Sequence, residues 1–474
     1  MDLSISVNNG RSHGSEEEEF GYMDQIVRKV LPSNYNFEIA KCIQRIRQIG
    51  ANVVALQMPE GLLGWACEIA DILRFFCDTL NEVIVMADVT YGACCIDDIT
   101  AEAMGADLII HYGHSCLVPV TVVSVQCLYV FVEIAFSPSY LAKVITDIFQ
   151  PHDQIFLMGT IQYSNVLREA CAMVDESGYF RSKIVVPQAS PLLPGEVLGC
   201  TSPKLHKYSF EKNECFTSTC KDTSTTRESS QSMAPVDDVS SGACTRNTNE
   251  DMDTENCQHT NLSSDAAVME CCGEKKILFI ADGRFHLESV LIHNPGIKAF
   301  RFDPFTKCIS EESYDIVSLH STRQDVIKRA KCAKAVCLVL SVLGRQGNIN
   351  ILKNLTKLLD KASISYHVRL LSEITLEKLA DLDVDAYIQV GCPRLSIDWG
   401  SEFRKPILNP YEAYVVFNNE EYRKVYPMDY YANDGGEWSN YAANRNAAPI
   451  IDSKEAIRRR LQQRALQKQL RYST

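Results

Sequence analysis

The chain has 474 residues, which is too long for one ordinary core and implies two or three domains. Hydrophobic content of 46% with 23% charged residues describes a globular protein and excludes a wholly disordered one. A net charge of -13 argues against broad binding to a phosphate backbone, so no direct nucleic-acid partner is expected.

Met1 to Phe20 is polar, carries Glu16 to Glu19 and has no apolar stretch of the kind a secretory signal needs. No apolar run approaches the ~20 residues of a membrane span, so a cytoplasmic protein without a membrane partner is expected. Its nineteen cysteines would then stay reduced, which turns attention to packing, metal binding and catalysis.

Residues 1–30 are expected to form a mobile acidic terminus. The first helix is predicted from about Asn36 to Ile49, with Ile39, Ile43, Ile46 and Ile49 at helical spacing. A strand from Val53 to Leu56 follows, then a helix from Leu62 to Leu73 and a strand from Glu82 to Met86. That strand runs into Asp88-Val-Thr-Tyr-Gly-Ala-Cys-Cys-Ile-Asp-Asp98. A helix from Ile99 to Met104 leads to a strand from Leu108 to Ile110, which ends in His111-Tyr-Gly-His-Ser-Cys116. Strand, helix, strand in this order implies a parallel sheet whose carboxyl ends deliver polar groups into one crevice.

The pattern continues with a strand from Leu128 to Val132, a helix from Tyr140 to Phe149, a strand from Gln154 to Met158 and a helix from Asn165 to Asp175. A strand from Lys183 to Val186 would precede a Pro- and Gly-rich loop around Cys200, shaped by residues that oppose a helix. Residues 204–274 lose apolar periodicity and read as a low-complexity, disordered insertion. Its six cysteines lack the paired spacing of a zinc knuckle. Strands resume at Lys276 to Ile280, Ala335 to Leu340 and Ala386 to Val390, ending in Asp282-Gly-Arg-Phe-His286, Gly344-Arg-Gln-Gly347 and Gly391-Cys392-Pro-Arg-Leu-Ser-Ile-Asp398. A basic helix is predicted from about Ser453 to Leu470.

The expected fold class is therefore α/β, with three similar Rossmann-like parallel-sheet domains arising by internal triplication. Their boundaries are 31–125 with Cys94, 126–203 with Cys200 and 275–431 with Cys392, the last able to share elements with the second, followed by a tail at 432–474. Three thiolates from separate domains meeting at one point would hold a 4Fe-4S cluster and leave one iron open for a substrate. The competing reading is three unrelated buried thiols.

Cys95 adjoins Cys94, and on an extended segment the two would face opposite ways, leaving Cys95 as packing or reserve ligand; Cys116 competes from the next strand. His111 and His114 suit metal binding or base chemistry, though a hydrogen-bonded structural role is commoner. Asp97 and Asp98 fit a helix cap better than an acid pair. Asp282 and Arg284 either line the crevice or form an ion pair. Arg394 suits a carboxylate and Asp398 an ammonium, so together they would hold an amino acid moiety. The Gly344 to Gly347 loop lacks the Walker pattern, which excludes nucleotide hydrolysis on that motif.

Asn34-Tyr-Asn-Phe-Glu38, Ala55-Leu-Gln-Met-Pro-Glu-Gly-Leu-Leu63, the Asp88 to Asp98 and His111 to Cys116 motifs, and Leu193-Pro-Gly-Glu-Val-Leu-Gly-Cys-Thr-Ser-Pro203 closely resemble the diphthamide synthesis enzymes. So do Asp282-Gly-Arg-Phe-His-Leu-Glu-Ser289, Leu343-Gly-Arg-Gln-Gly347, Cys392-Pro-Arg-Leu-Ser-Ile-Asp-Trp-Gly400 and Tyr426-Pro-Met-Asp-Tyr430. The resemblance implies three similar domains that meet around a central 4Fe-4S cluster held by Cys94, Cys200 and Cys392. It implies a transferase that passes the 3-amino-3-carboxypropyl group of S-adenosyl-L-methionine to a histidine of translation elongation factor 2 by a radical route. The usual C-x3-C-x2-C radical motif is absent. Gln346, Arg394 and Asp398 would then grip the cosubstrate. The implied partners are diphthamide synthase subunit 2, in a heterodimer, and a small metal-binding electron donor. A non-catalytic scaffold within the same heterodimer is the alternative, and a zinc protein using the insertion's cysteines a third reading.

Overall fold

The computed structural model describes residues 16–88, 90–118, 122–211 and 273–441. Most of the low-complexity insertion and the basic helix expected near the end lie outside the described residues. Among the described residues, no helix is long and apolar enough to cross a membrane.

The chain opens with α1 (Glu16–Val30), a short β1 (Tyr35–Asn36) and α2 (Ile39–Ile49). Residues 16–30 were expected to be mobile, yet α1 buries Met23 and anchors Glu19 to Arg47 of α2. Then come β2 (Val53–Gln57), α3 (Glu60–Leu63), α4 (Ala66–Phe76), β3 (Glu82–Met86), α5 (Asp98–Ala103), β4 (Leu108–Tyr112) and β5 (Gln126–Val130). The first sheet has the order β3-β2-β4-β5 and all its pairings are parallel. Every residue of β4 is buried, because helices cover both faces of a parallel sheet.

After β6 (Glu133–Ile134), which pairs only with β1, follow α6 (Pro138–Ile148), β7 (Gln154–Gly159) and α7 (Ser164–Ser177). The strand expected at Lys183 to Val186 is reduced to a single bridge from Val185 to Phe156, since Pro187 stops the ladder. Beyond the insertion lie β8 (Lys275–Ile280), α8 (Phe285–His293), β9 (Lys298–Asp303) and β10 (Cys308–Glu312). The second sheet runs β10-β9-β8-β7, with β10 antiparallel at the edge. Thus β8 to β10 join β7, and the second unit spans both sides of the insertion; β5, placed in the second domain by the sequence boundary, belongs to the first sheet.

The last unit contains α9 (Ile316–Ala330), β11 (Ala335–Ser341), α10 (Ile349–Lys361), β12 (Ser365–Leu371), α11 (Leu376–Ala380), β13 (Ala386–Val390), α12 (Pro393–Trp399), β14 (Ile407–Leu408) and α13 (Pro410–Phe417). Its sheet, β12-β11-β13-β14, is parallel throughout. The tail does not begin at 432: Tyr430, Tyr431, Ala432 and Trp438 are buried, and the Trp438 indole donates to Asp429 at 2.9 Å.

At the centre of the third unit Arg323 of α9 is fully buried. Its guanidinium donates twice to Glu412 of α13, at 2.7 Å each, and to the Ser396 and Ile407 carbonyls. Glu412 also closes a capping box with Asn409 and accepts from the Tyr426 hydroxyl at 2.8 Å. Each nitrogen and each carboxylate oxygen of this buried pair has at least one partner, which is the condition for tolerating two charges in a core.

Candidate functional site

The loops after the sheets' carboxyl ends meet around four cysteines. Ala93–Cys95 form a single 3-10 turn, so Cys94 and Cys95 do not diverge as they would on an extended segment. Their thiols hydrogen-bond to each other. Cys200 comes from the Pro- and Gly-rich loop and Cys392 caps the start of α12. Cys94 feels the charges of Cys392 and Cys200, and buried Tyr431 lies within the field of all four sulfurs. Cys116 stands apart, grouped with Cys127 and Tyr129.

Burial pushes Cys200 up to about 12, with Cys392 adding repulsion, and burial likewise raises Cys392. The hydrogen bond from Cys94 draws Cys95 down to about 7 against its burial, and Cys94 is raised in return. Thiols crowded in this way resist ionising together unless a cation joins them, and an all-sulfur donor set suits iron-sulfur chemistry. Among the described residues no three such side chains are drawn together closely enough to hold a metal ion as they stand, so the sulfurs would have to draw closer to bind one. Within that limit, Cys94, Cys200 and Cys392 fit a cluster.

The Gly344 to Gly347 loop clasps the first sheet to the third. Arg345 N–H donates to the Cys94 carbonyl at 2.8 Å, and its guanidinium holds Asp98 through bonds of 2.7 and 2.6 Å. Asp97, not Asp98, caps α5 by accepting from Thr100 N–H. Burial works against the Asp98 carboxylate, yet Arg345 and the Ser124 N–H hold it below the usual range. Gln346 donates to Cys95 Sγ at 3.3 Å, which places this expected cosubstrate contact against the thiols.

Gly344 has φ +53°, and a Cβ there would stand 2.4 Å from the Cys95 backbone. Gly344→Ala combines αL strain of about 1–2 kcal/mol with a backbone clash. It should lower the denaturant midpoint and raise the rate at which a thiol reagent labels Cys94; unchanged labelling would refute the clasp.

Arg394 and Asp398 do come together, but not as a free amino acid clamp. Arg394 Nε donates to Asp398 at 2.8 and 3.0 Å, and Nη1 to the Gly199 and Phe285 carbonyls at 3.2 and 2.9 Å. Its Nη2 donates to Glu288, and its guanidinium lies 4.3 Å from the Phe285 ring centroid. The guanidinium is spent on the protein: it ties α12, the Cys200 loop and α8 together, while its charge favours ionised Cys200 and Cys392. Asp282 and Arg284 do not pair with one another; Arg284 binds Glu288 and Glu312.

Between the carboxyl ends of β2, β4, β7 and β8 lies a cavity of about 400 Å³. Its walls include His114, Tyr163, Glu196, Asp282 and His286, and no Lys or Arg among the described lining residues. His111, expected in a loop, is the fourth residue of β4 and fully buried; Nδ1 lies 3.0 Å from Gln57 Oε1 and Nε2 3.1 Å from His114 Nδ1. Burial lowers His111 strongly and brings His114 and His286 down to about 4. Glu196 is buried, held by Ser115 Oγ and the Leu193 N–H, and raised by burial. The Tyr163 hydroxyl is buried with no hydrogen-bond partner, a donor in want of a ligand.

Sequence reasoning missed Gln57, Glu196 and Tyr163. Gln57 was detectable as a polar residue closing an apolar strand, and Glu196 as an acid inside a Pro-Gly turn; Tyr163 carried no such signal.

A family model described as "Putative diphthamide synthesis protein" matches residues 58–427. A protein of Dictyostelium discoideum named 2-(3-amino-3-carboxypropyl)histidine synthase subunit 1 is 41% identical over 415 residues, covering 87% of this chain and 75% of that protein. The Gallus gallus protein of the same name is 42% identical over 429 residues, covering 90% and 87%. The crystal structure of Dph2 from Pyrococcus horikoshii with a 4Fe-4S cluster matches with TM-score 0.58 at 23% identity, covering 85% of this chain and 95% of that one, a likeness of fold.

Proposed function

Since the chain belongs to the diphthamide synthesis protein family and is similar over most of its length to subunit 1 synthases, we propose that it is the catalytic subunit for the first step of diphthamide formation. In this reading it transfers the 3-amino-3-carboxypropyl group of S-adenosyl-L-methionine to a histidine of translation elongation factor 2. The observation that carries it is the approach of Cys94, Cys200 and Cys392, half-buried and carried on loops of three separate sheet units, close enough for their charges to act on one another. Three units of common design around a 4Fe-4S cluster account for that convergence. Subunit 2, in a heterodimer, and a small metal-binding electron donor complete the system, in the cytoplasm.

Cys94, Cys200 and Cys392 would hold the cluster, which would supply the electron that cleaves the bond from the sulfonium sulfur to Cγ with methylthioadenosine as leaving group; the carbon radical would add to an imidazole carbon, and return of one electron to the cluster with loss of the ring proton would restore the aromatic ring. The residues of the chain do the rest. Arg394 fixes the Cys200 loop against α12 and lends positive charge to two thiolates. Gln346 steadies Cys95 beside them. The acidic cavity suits a cationic cosubstrate, and the unpartnered Tyr163 hydroxyl offers it a hydrogen bond.

Iron and acid-labile sulfide content, with EPR spectra after anaerobic purification, test the assignment. Cys94→Ala, Cys200→Ala and Cys392→Ala should each abolish the signal, while Cys116→Ala retains it. Iron that survives all three substitutions, or is absent even on coexpression with the partner subunit, would displace this reading in favour of a scaffold.

A further inference from the structure

The His111-Tyr-Gly-His114 motif has no part in holding thiols, yet its hydrogen bonds determine where each imidazole proton sits. Gln57 Nε2 donates to the Cys95 carbonyl at 2.9 Å, which leaves Oε1 as the acceptor facing the other way. That oxygen receives Asp97 N–H at 3.3 Å and lies 3.0 Å from His111 Nδ1. An amide oxygen cannot donate, so His111 carries its proton on Nδ1 and offers a lone pair at Nε2. Among the described residues the group that meets that lone pair is His114 Nδ1, at 3.1 Å, which must therefore hold the His114 proton.

The Tyr112 carbonyl also lies by the His114 ring and favours a ring N–H; with that proton on Nδ1, Nε2 is left without a hydrogen bond among the described residues, on a ring that lines the cavity. Ser115, the next residue, bonds the buried carboxylate of Glu196 on the same wall. Across the cavity Asp282 lies close enough to Tyr163 and His286 to act on both electrostatically. Acceptors and negative charge thus surround the space, and no lining Lys or Arg offsets them.

We infer that His114 Nε2 is a tautomer-locked acceptor for a ligand ammonium, with Glu196 and Asp282 as its countercharge, and that Gln57 and His111 are positioning residues acting through it. Resting on the proposed function, this assigns the amino group of the 3-amino-3-carboxypropyl moiety to His114. The same lone pair would repel a carboxylate, which sets the orientation in which the moiety enters.

Calorimetric binding of S-adenosylmethionine and of methylthioadenosine, which lacks the ammonium, separates the possibilities. His114→Phe keeps a ring but removes the acceptor. It should weaken S-adenosylmethionine about ten- to hundredfold, the scale of one charge-assisted hydrogen bond, and leave methylthioadenosine unchanged. Equal loss for both ligands, or none for either, overturns the inference while the proposed function stands. Failure of the wild-type chain to bind S-adenosylmethionine at all overturns both. Should His114→Phe not fold, long-range 1H–15N spectra of the histidine-labelled wild-type chain decide: His293 already carries Nδ1–H, because that nitrogen meets the Ser202 carbonyl, so two further imidazoles protonated at Nδ1, assigned to His111 and His114, support the lock, and the absence of either refutes it.

Discussion

Stability should fall steeply as the pH is lowered from about 6.5, where an unfolded histidine takes up a proton, towards about 4. Burial holds His114, His286 and His293 down to about 4 in the folded chain, and it lowers His111 as well. Between the two values the unfolded chain binds more protons, so each drop in pH favours unfolding. The stabilisation is complete above about 6.5 and is lost through that window, at a cost on the order of 3 kcal/mol for each histidine. A second loss follows at lower pH. The depressed Asp98 carboxylate stabilises the fold above its unfolded value, and that contribution goes as pH falls through its folded one. Urea midpoints measured across the range check this; a flat profile between about pH 6.5 and 5 would mean that the folded chain accepts these protons freely.

Arg323→Met should destabilise the chain by about 3–5 kcal/mol, because it strands an ionised Glu412 in the core. The same change leaves the Ser396 and Ile407 carbonyls without their donor. Pairing it with Glu412→Leu should recover most of the loss, since two apolar side chains restore packing and remove the orphaned charge. Guanidinium chloride unfolding of the single and double variants measures the difference. A double variant as unstable as the single one would show that the pair's hydrogen bonds to α12 and β14 matter more than its charges. Labelling of Cys392 should quicken in the single variant, for Arg323 braces the helix that this cysteine begins.

Much of the architecture was legible from apolar runs. The strands Glu82–Met86 and Ala386–Val390 stand where the sequence places them. The first sheet's last buried strand runs two residues further than expected, through His111 and Tyr112. A polar residue at a strand end reads as loop unless its partner is known, and Gln57 is that partner. Lys183 to Val186 misled for the opposite reason: its letters favour a strand, but only Val185 finds a bridge.

At the site, the three cysteine loops could be recognised locally, each by a Gly or Pro turn after a strand. What Arg394 does could not. Its spacing to Asp398 was visible within one helix, but Glu288, Phe285 and Gly199 arrive from distant parts of the chain, and they turn a presumed ligand clamp into an internal tie. The Cys94-Cys95 pair was misjudged on local conformation, since a 3-10 turn abolishes the alternation of a strand.

The split of the second sheet across the insertion bears on folding order. Gln154 pairs with Lys275, so β7 waits for β8 until the whole intervening stretch has been made, whereas β2, β3 and β4 find each other within a short span. Closing a long loop costs little more at equilibrium as it lengthens, about 0.6 kcal/mol for each doubling. Its effect on rate is larger, because distant strands must search before any contact rewards them. Relatives can therefore lengthen or trim this stretch almost freely in free energy, while the second sheet becomes the slow step and the first stands ready as a template on the ribosome.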